Sequence, residues 1–166
     1  PTVLTFAQER FVLTHGDALC LADTEYQQFR AHVRSVHWQR DFLQQPLAKR
    51  LEMAQGMRAQ SEAHKRTSTF VDVDSQAVQL ALQTRSARYL IHGHTHRPET
   101  FQQGVDGTRL VLSDWDLSDS PPRSQVLRLS RSGDRLHLQR LEAAAYSQDS
   151  GLTSSICDGG RATSAA

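Results

Sequence analysis

A chain of 166 residues, 38% apolar and 22% charged, is long enough for one globular domain with a modest core. The formal net charge of +1 excludes a strong attraction of the whole molecule to nucleic acid or to an anionic membrane, leaving such preferences to local patches. Cys20 and Cys157 match no metal or redox spacing and make a poor disulfide framework, which fits a reducing cytoplasm. No apolar run approaches the roughly 18 residues of a spanning helix, and no charged-then-apolar leader opens the chain. The first residues, Pro1-Thr2-Val3, read as the middle of a sheet, so we expect a part of a longer protein.

Val3 to Phe6 and Arg10 to Thr14 are β-rich runs that read as a hairpin, the second ending in the polar string Thr14-His15-Gly16-Asp17. Residues 24 to 66 lack strand signals and carry helix formers. Thr24 is placed to cap a helix in which Tyr26, Phe29, Val33 and Val36 recur at helical spacing. Pro46 fits the start of another helix running to about Lys65, with Leu47, Leu51 and Ala54 on one stripe, Met53 and Met57 on its neighbour, and basic residues between. This insertion is either a packed helical hairpin or a cap that covers a substrate. Asp74 reads as the N-cap of a helix to about Arg85, a role that outweighs metal ligation by Asp72 or Asp74. Tyr89-Leu90-Ile91 is the next strand. Further strands follow at Glu99 to Gln102, Thr108 to Ser113, Gln125 to Leu129 and Arg135 to Leu141, with turns at Gly104, Asp106-Gly107 and Gly133-Asp134. From about Ala144 the composition falls to Ala, Ser, Gly and Thr, and residues 143–166 read as a disordered tail.

The densest chemistry is His92-Gly93-His94-Thr95-His96-Arg97-Pro98, at the mouth of an apolar strand. Gly93 permits a tight turn there and Pro98 stiffens its exit. Extended backbone would send the side chains of His94 and His96 to one side, where two neutral imidazoles suit a divalent first-row metal. His15, at another strand end, is a candidate third donor.

Gly93-His94-Thr95-His96 resembles the GHxH signature of calcineurin-like metallophosphoesterases, and Thr14-His15-Gly16-Asp17 is similar to the strand-end histidine motif that precedes it. His15-Gly16-Asp17-Ala18-Leu19-Cys20, Met57-Arg58-Ala59-Gln60-Ser61, Leu90 to Pro98 and Val111-Leu112-Ser113-Asp114-Trp115 narrow the likeness to the family's pyrophosphatases of lipid A synthesis, although glycine is frequent in that family where Ser113 stands.

The resemblance covers residues 1–142, including the cap at 24–66. It implies an α/β sandwich of two mixed sheets flanked by helices, with the N-terminal half missing. It also implies hydrolysis of the pyrophosphate bond of UDP-2,3-diacylglucosamine, yielding UMP and 2,3-diacylglucosamine 1-phosphate, at a site holding two Mn2+ ions. Metal ligands would be His15, His94 and His96, with His94 also catalytic and touching the substrate phosphate. Asp23 and Ser61 match substrate-contact positions, and His64, Lys65 and Arg66 align loosely with the remaining contacts. Asp17 would orient the His15 ring or serve only as a turn residue. A glycolipid nucleotide substrate implies a protein peripheral on the cytoplasmic face of the inner membrane.

The family's remaining ligands come from N-terminal DxH, GD and GN(H/R)D motifs, and this chain has no Asp-x-His and no Gly-Asn. The isolated chain is therefore expected to bind metal weakly and turn over little substrate. Alternatives are a metallophosphoesterase of another nucleotide or a phosphoprotein, and a non-catalytic metal-binding module. A nucleic-acid-binding helix pair is disfavoured by acidic residues interspersed among the basic ones.

Overall fold

The computed structural model describes residues 1–67 and 71–142, without the side chains of residues 62 and 64–67. The expected tail, 143–166, and Phe70 lie outside the described residues. The chain divides into two compact units, one spanning Pro1–Val111 and the other beginning at Leu112.

The first unit is α/β. It opens with the expected hairpin, β1 (Thr2–Phe6) and β2 (Glu9–Thr14), paired antiparallel. Its two-residue turn places Ala7 and Gln8 at φ 50 and 63, the left-handed geometry that matches strand twist in a tight hairpin. After a short 3-10 turn at Asp17–Leu19 come three helices, α1 (Thr24–Val33), α2 (Val36–Gln44) and α3 (Leu47–Thr67). Then follow α4 (Ser75–Gln83) and the strands β3 (Tyr89–His92), β4 (Thr100–Gln103) and β5 (Gly107–Val111). They form one mixed sheet in the order β1-β2-β3-β5-β4, with β2, β3 and β5 parallel.

The parallel strands are buried, as crossover connections require. Val12 and Leu90 share the face on which Val78 and Leu82 of α4 pack, together with Val73 and Cys20. On the opposite face Phe11 and Tyr89 stack with centroids 4.8 Å apart. Burial pushes the Cys20 thiol up to about 11, which leaves it an inert packing group.

Among the described residues the strands of the second unit pair antiparallel, so of the two sheets described one is mixed. It holds β6 (Trp115–Asp116), β7 (Arg123–Ser132) and β8 (Arg135–Glu142), with Gly133 at φ 58 in the β7–β8 turn. Arg123 gathers Asp114 and Asp116 by ion pairs and touches Asp119 closely.

The helical insertion differs from expectation in two places. The cap of α1 is Asp23 rather than Thr24, because the Asp23 carboxylate accepts the Tyr26 N–H at 3.0 Å. The run from Tyr26 to Val36 is two helices, because Ser35 turns extended at ψ 143 and its hydroxyl caps α2 through the Trp38 N–H at 3.2 Å. Asp74 caps α4, accepting the Ala77 N–H at 2.8 Å. Asp72 instead accepts a bidentate pair from Arg109 at 2.8 and 3.0 Å. Losing a carboxylate cap costs about 1 kcal/mol. Asp74→Ala is therefore expected to lower unfolding free energy by about that much, measured by urea denaturation, whereas Asp74→Ser should recover most of the loss.

Candidate active site

The site grows from two neighbouring strand ends. Register pairs Thr14 with His92, so β2 and β3 release their loops side by side at the C-terminal edge of the parallel sheet. The loops are tied directly, the Gly93 N–H donating to the His15 carbonyl at 3.1 Å. Gly16 lies at φ +107, and a Cβ there would stand 2.8 Å from His92 Nδ1, so the position demands glycine twice over. Sequence reasoning gave that demand to Gly93, but a Cβ on Gly93 would approach nothing nearer than the His15 carbonyl at 3.9 Å.

Beyond β3 the backbone ceases to be extended. His94 sits at φ 64, and the Thr95 N–H reaches back to the Gly93 carbonyl at 2.8 Å, closing a turn with His94 at its centre. His96 is likewise left-handed at φ 51. The period-two alternation expected for His94 and His96 therefore does not operate, since it belongs to extended chain. The structure brings His94 to His15, ring centroids 5.1 Å apart, and the Tyr26 ring of α1 lies 5.2 Å from His94. His96 is exposed. Among the described residues no three His, Cys, Asp or Glu side chains converge closely enough to form a metal-holding group. Burial, followed by the facing His15 ring, pushes the His94 imidazole below its ordinary value and favours its neutral form.

Asp17 sits behind His15. Its side chain is 3% exposed and accepts from His15 Nδ1 at 3.1 Å, Arg30 Nε at 2.7 Å and Arg34 at 2.8 Å. Burial alone would raise this carboxyl, but the hydrogen bonds of Arg30 and His15 and the two arginine charges outweigh it and hold Asp17 below the ordinary carboxylate range. Bonding at Nδ1 leaves the Nε2 side of His15 as its outward donor. The arginines escaped sequence reading because their only signal is an i,i+4 spacing from α1 to its C-cap, which carries no pointer to Asp17.

Asp23 lies one turn before Tyr26, as the cap of α1. Ser61 is exposed on α3 and lines a cavity of about 390 Å3 with Glu25, Tyr26, Phe29, Met57 and Gln60. Tyr26 thus faces both the histidine pair and this cavity. The expected contacts His64, Lys65 and Arg66 lie in α3, their side chains outside the described residues. Helices α1 and α2 bury no residue, and Val36, Leu43, Leu47 and Leu51 are exposed. No helix among the described residues is long and apolar enough to cross a membrane.

No protein-family model matches the chain. Curated relatives do, and they are hydrolases. Over 139 residues the chain is 42% identical to the UDP-2,3-diacylglucosamine hydrolase of Bordetella pertussis, an alignment covering 80% of this chain and 54% of that protein. It is 44% identical over 126 residues to the enzyme of the same name from Aromatoleum aromaticum, covering 73% of this chain and 51% of the relative. The Ralstonia nicotianae enzyme gives 44% over 140 residues, with 78% and 52% covered. The chain is a homologue of the UDP-2,3-diacylglucosamine hydrolases and spans about half the length of the curated relatives it matches.

Because Asp17's folded value lies below its unfolded one, its contribution to stability is complete above the unfolded carboxyl value and fades as pH falls through the lower folded one. Asp17→Asn strips a buried charge from two arginines and is expected to cost about 3 kcal/mol at neutral pH. The difference from wild type should shrink on acidification, read by urea unfolding from about pH 6 to about pH 2.

Proposed function

We propose that the protein acts in hydrolysis of the pyrophosphate bond of UDP-2,3-diacylglucosamine, as a calcineurin-like metallophosphoesterase with a dinuclear manganese centre. The observation carrying this reading is the His15–His94 pair, 5.1 Å between ring centroids, next to a Tyr26 ring that also lines an apolar-floored cavity. Homology to hydrolases named for that substrate supports it.

The donor set fits a first-row divalent cation in part. His15 offers Nε2 with its other nitrogen turned to Asp17, and His94 is disposed to be neutral, the form in which imidazole binds metal. His96 is assigned as a further donor from the same loop. The oxygen donors that complete two shells are assigned to the stretch of the relatives that this chain does not span. When bound, such a pair supplies Lewis acidity toward the phosphoryl oxygens and lowers the pKa of the attacking water.

The chain's own residues bind and orient. His94 contacts the phosphoryl group, and Asp23 and Ser61 flank the sugar. His64, Lys65 and Arg66, at the end of α3, complement the phosphate charge. Acyl chains enter the cavity floored by Tyr26, Phe29 and Met57. A soluble nucleotide or phosphoprotein would need no such apolar floor. The exposed Val36, Leu43, Leu47 and Leu51 suit a peripheral position on the cytoplasmic face of the inner membrane, where the lipid substrate resides.

Release of UMP from UDP-2,3-diacylglucosamine by the intact protein, dependent on added manganese, is the expected result, and its absence across a full manganese titration sinks the reading. Phe29→Asp introduces a charge at the cavity floor. It should raise KM for the diacylated substrate by about tenfold or more, with little effect on a non-acylated UDP-sugar analogue.

A further inference from the structure

Beneath the histidine loop lies a second polar group that the proposed chemistry does not use. His92 is fully buried at 0% exposure, and its Nδ1 lies 2.8 Å from the Gly93 carbonyl. A carbonyl only accepts, so Nδ1 carries the proton and Nε2 is a bare acceptor. That Nε2 finds no hydrogen-bond partner among the described residues. Arg109 is 4% exposed, gives both terminal nitrogens to Asp72, and lies over the Phe101 ring at 3.9 Å. Its Nε–H is also buried without a hydrogen-bond partner among the described residues. Register pairs Arg109 with Leu90, and His92 lies two residues along the same strand, so both side chains rise from one face of the sheet as diagonal neighbours. An orphan buried donor beside an orphan buried acceptor is costly apart and complementary together.

We propose that Arg109 is a positioning residue for the candidate metal loop: anchored by Asp72, it serves His92 Nε2 from its Nε–H through one bridging water, and fixes the His92 tautomer that braces the His94 turn. The chain of bonds has a direction. Asp72 orients Arg109, and Arg109 satisfies Nε2 of His92. The His92 proton is thereby kept on Nδ1, pointing at the Gly93 carbonyl. That same carbonyl accepts the Thr95 N–H that closes the left-handed turn at His94. Without the donor, nothing holds the proton on Nδ1: moving it to Nε2 sets the Nδ1 lone pair against the Gly93 carbonyl, and turning the ring replaces the Nδ1–H donor with a C–H. The turn presenting His94 then loses a brace while the sheet keeps its apolar packing.

The consequence for metal binding rests on the reading of His94 as a donor; the tautomer does not. Both are measured on the intact protein, using 15N imidazole correlation spectra for the tautomer, calorimetric Mn2+ titration for affinity and thermal melting for the fold. Wild-type His92 should show one tautomer, protonated at Nδ1. Arg109→Lys, which keeps the charge but removes the Nε–H, should mix or reverse that signature and weaken Mn2+ binding about tenfold. His92→Asn should weaken it similarly, and the double variant should be no weaker than either single one, because one chain of bonds is cut at two points. Unchanged His92 signals in Arg109→Lys, or effects on affinity that multiply in the double variant, overturn the proposal. If Arg109→Lys does not fold, Asp72→Asn frees the guanidinium from outside the core. It should shift the His92 signals in the same direction, and their constancy would likewise overturn the proposal. Failure of the wild-type protein to bind Mn2+ would remove the metal reading of His94 while the spectra still decided the role of Arg109.

Discussion

The contact on which the candidate site depends is the tie between two loop starts: Gly93 N–H to the His15 carbonyl, with the His92 ring pressed against Gly16. Parallel pairing of β2 with β3 makes that contact nearly unavoidable, since matched register delivers both loops to the same edge. The backbone just past the tie is strained. Two non-glycine residues flanking Thr95, His94 and His96, take left-handed backbone, at a cost of order 1–3 kcal/mol each. Such conformations persist only where the surroundings over-determine them. Here the determinants are the Gly93 carbonyl with its two donors and the buried ring of His92. The strain therefore falls on the residues that bring an imidazole to face His15.

Charge attaches the helical insertion to this tie. Asp17 is buried, yet it serves His15 on one side and, on the other, Arg30 of α1 and Arg34, the residue that caps its C-terminus. One carboxylate thus orients an imidazole and fastens the helix that carries Tyr26 against His94. The anchor matters more because α1 and α2 bury no side chain. Helices of this length draw most of their stability from packing an apolar face, and these two keep apolar residues in the open. A near-neutral net charge conceals this division of labour. Arginines and aspartates are consumed in pairs inside the units, as with Asp17, with Arg109 and Asp72, and with Arg123 and its aspartates, while the insertion is left with apolar ground.

Much of the scaffold was legible in the sequence because its signals are local. The β1–β2 hairpin, the Asp74 cap of α4, the apolar strand before His92 and the glycine turns at 104 and 133 each declare themselves within a few residues. The misreadings arose where a local rule met a long-range partner or a change of backbone. Helical spacing ran on through Val36, although Ser35 makes a better cap than an interior residue. Alternation was extended to His94 and His96 beyond the point where the strand stops. The Asp72–Arg109 pair, separated by 37 positions, leaves no period to detect. The need for glycine at position 16 is set by a histidine ring from another strand, so the sequence around Gly16 cannot show it.

A site of this kind is divided between a hydrogen-bonded sheet edge and an insertion whose first two helices bury no residue, for a physical reason. Hydrolysis of a phosphoanhydride needs donors held to fractions of an ångström, which suits strand ends locked by backbone hydrogen bonds. Acceptance of a long acyl chain needs apolar surface that is not already satisfied by the protein's own packing. The two requirements conflict within one element, because a well-packed helix has no surface to spare and a loosely packed one cannot position a ligand. Tyr26 stands where they meet. Its helix is fixed at one end by the Asp17 ion pairs, its ring touches His94, and its other side lines the open cavity with Phe29 and Met57. In the proposed enzyme the reacting end of the substrate would meet strand ends tied by backbone hydrogen bonds, and the lipid end the exposed apolar side chains of the insertion.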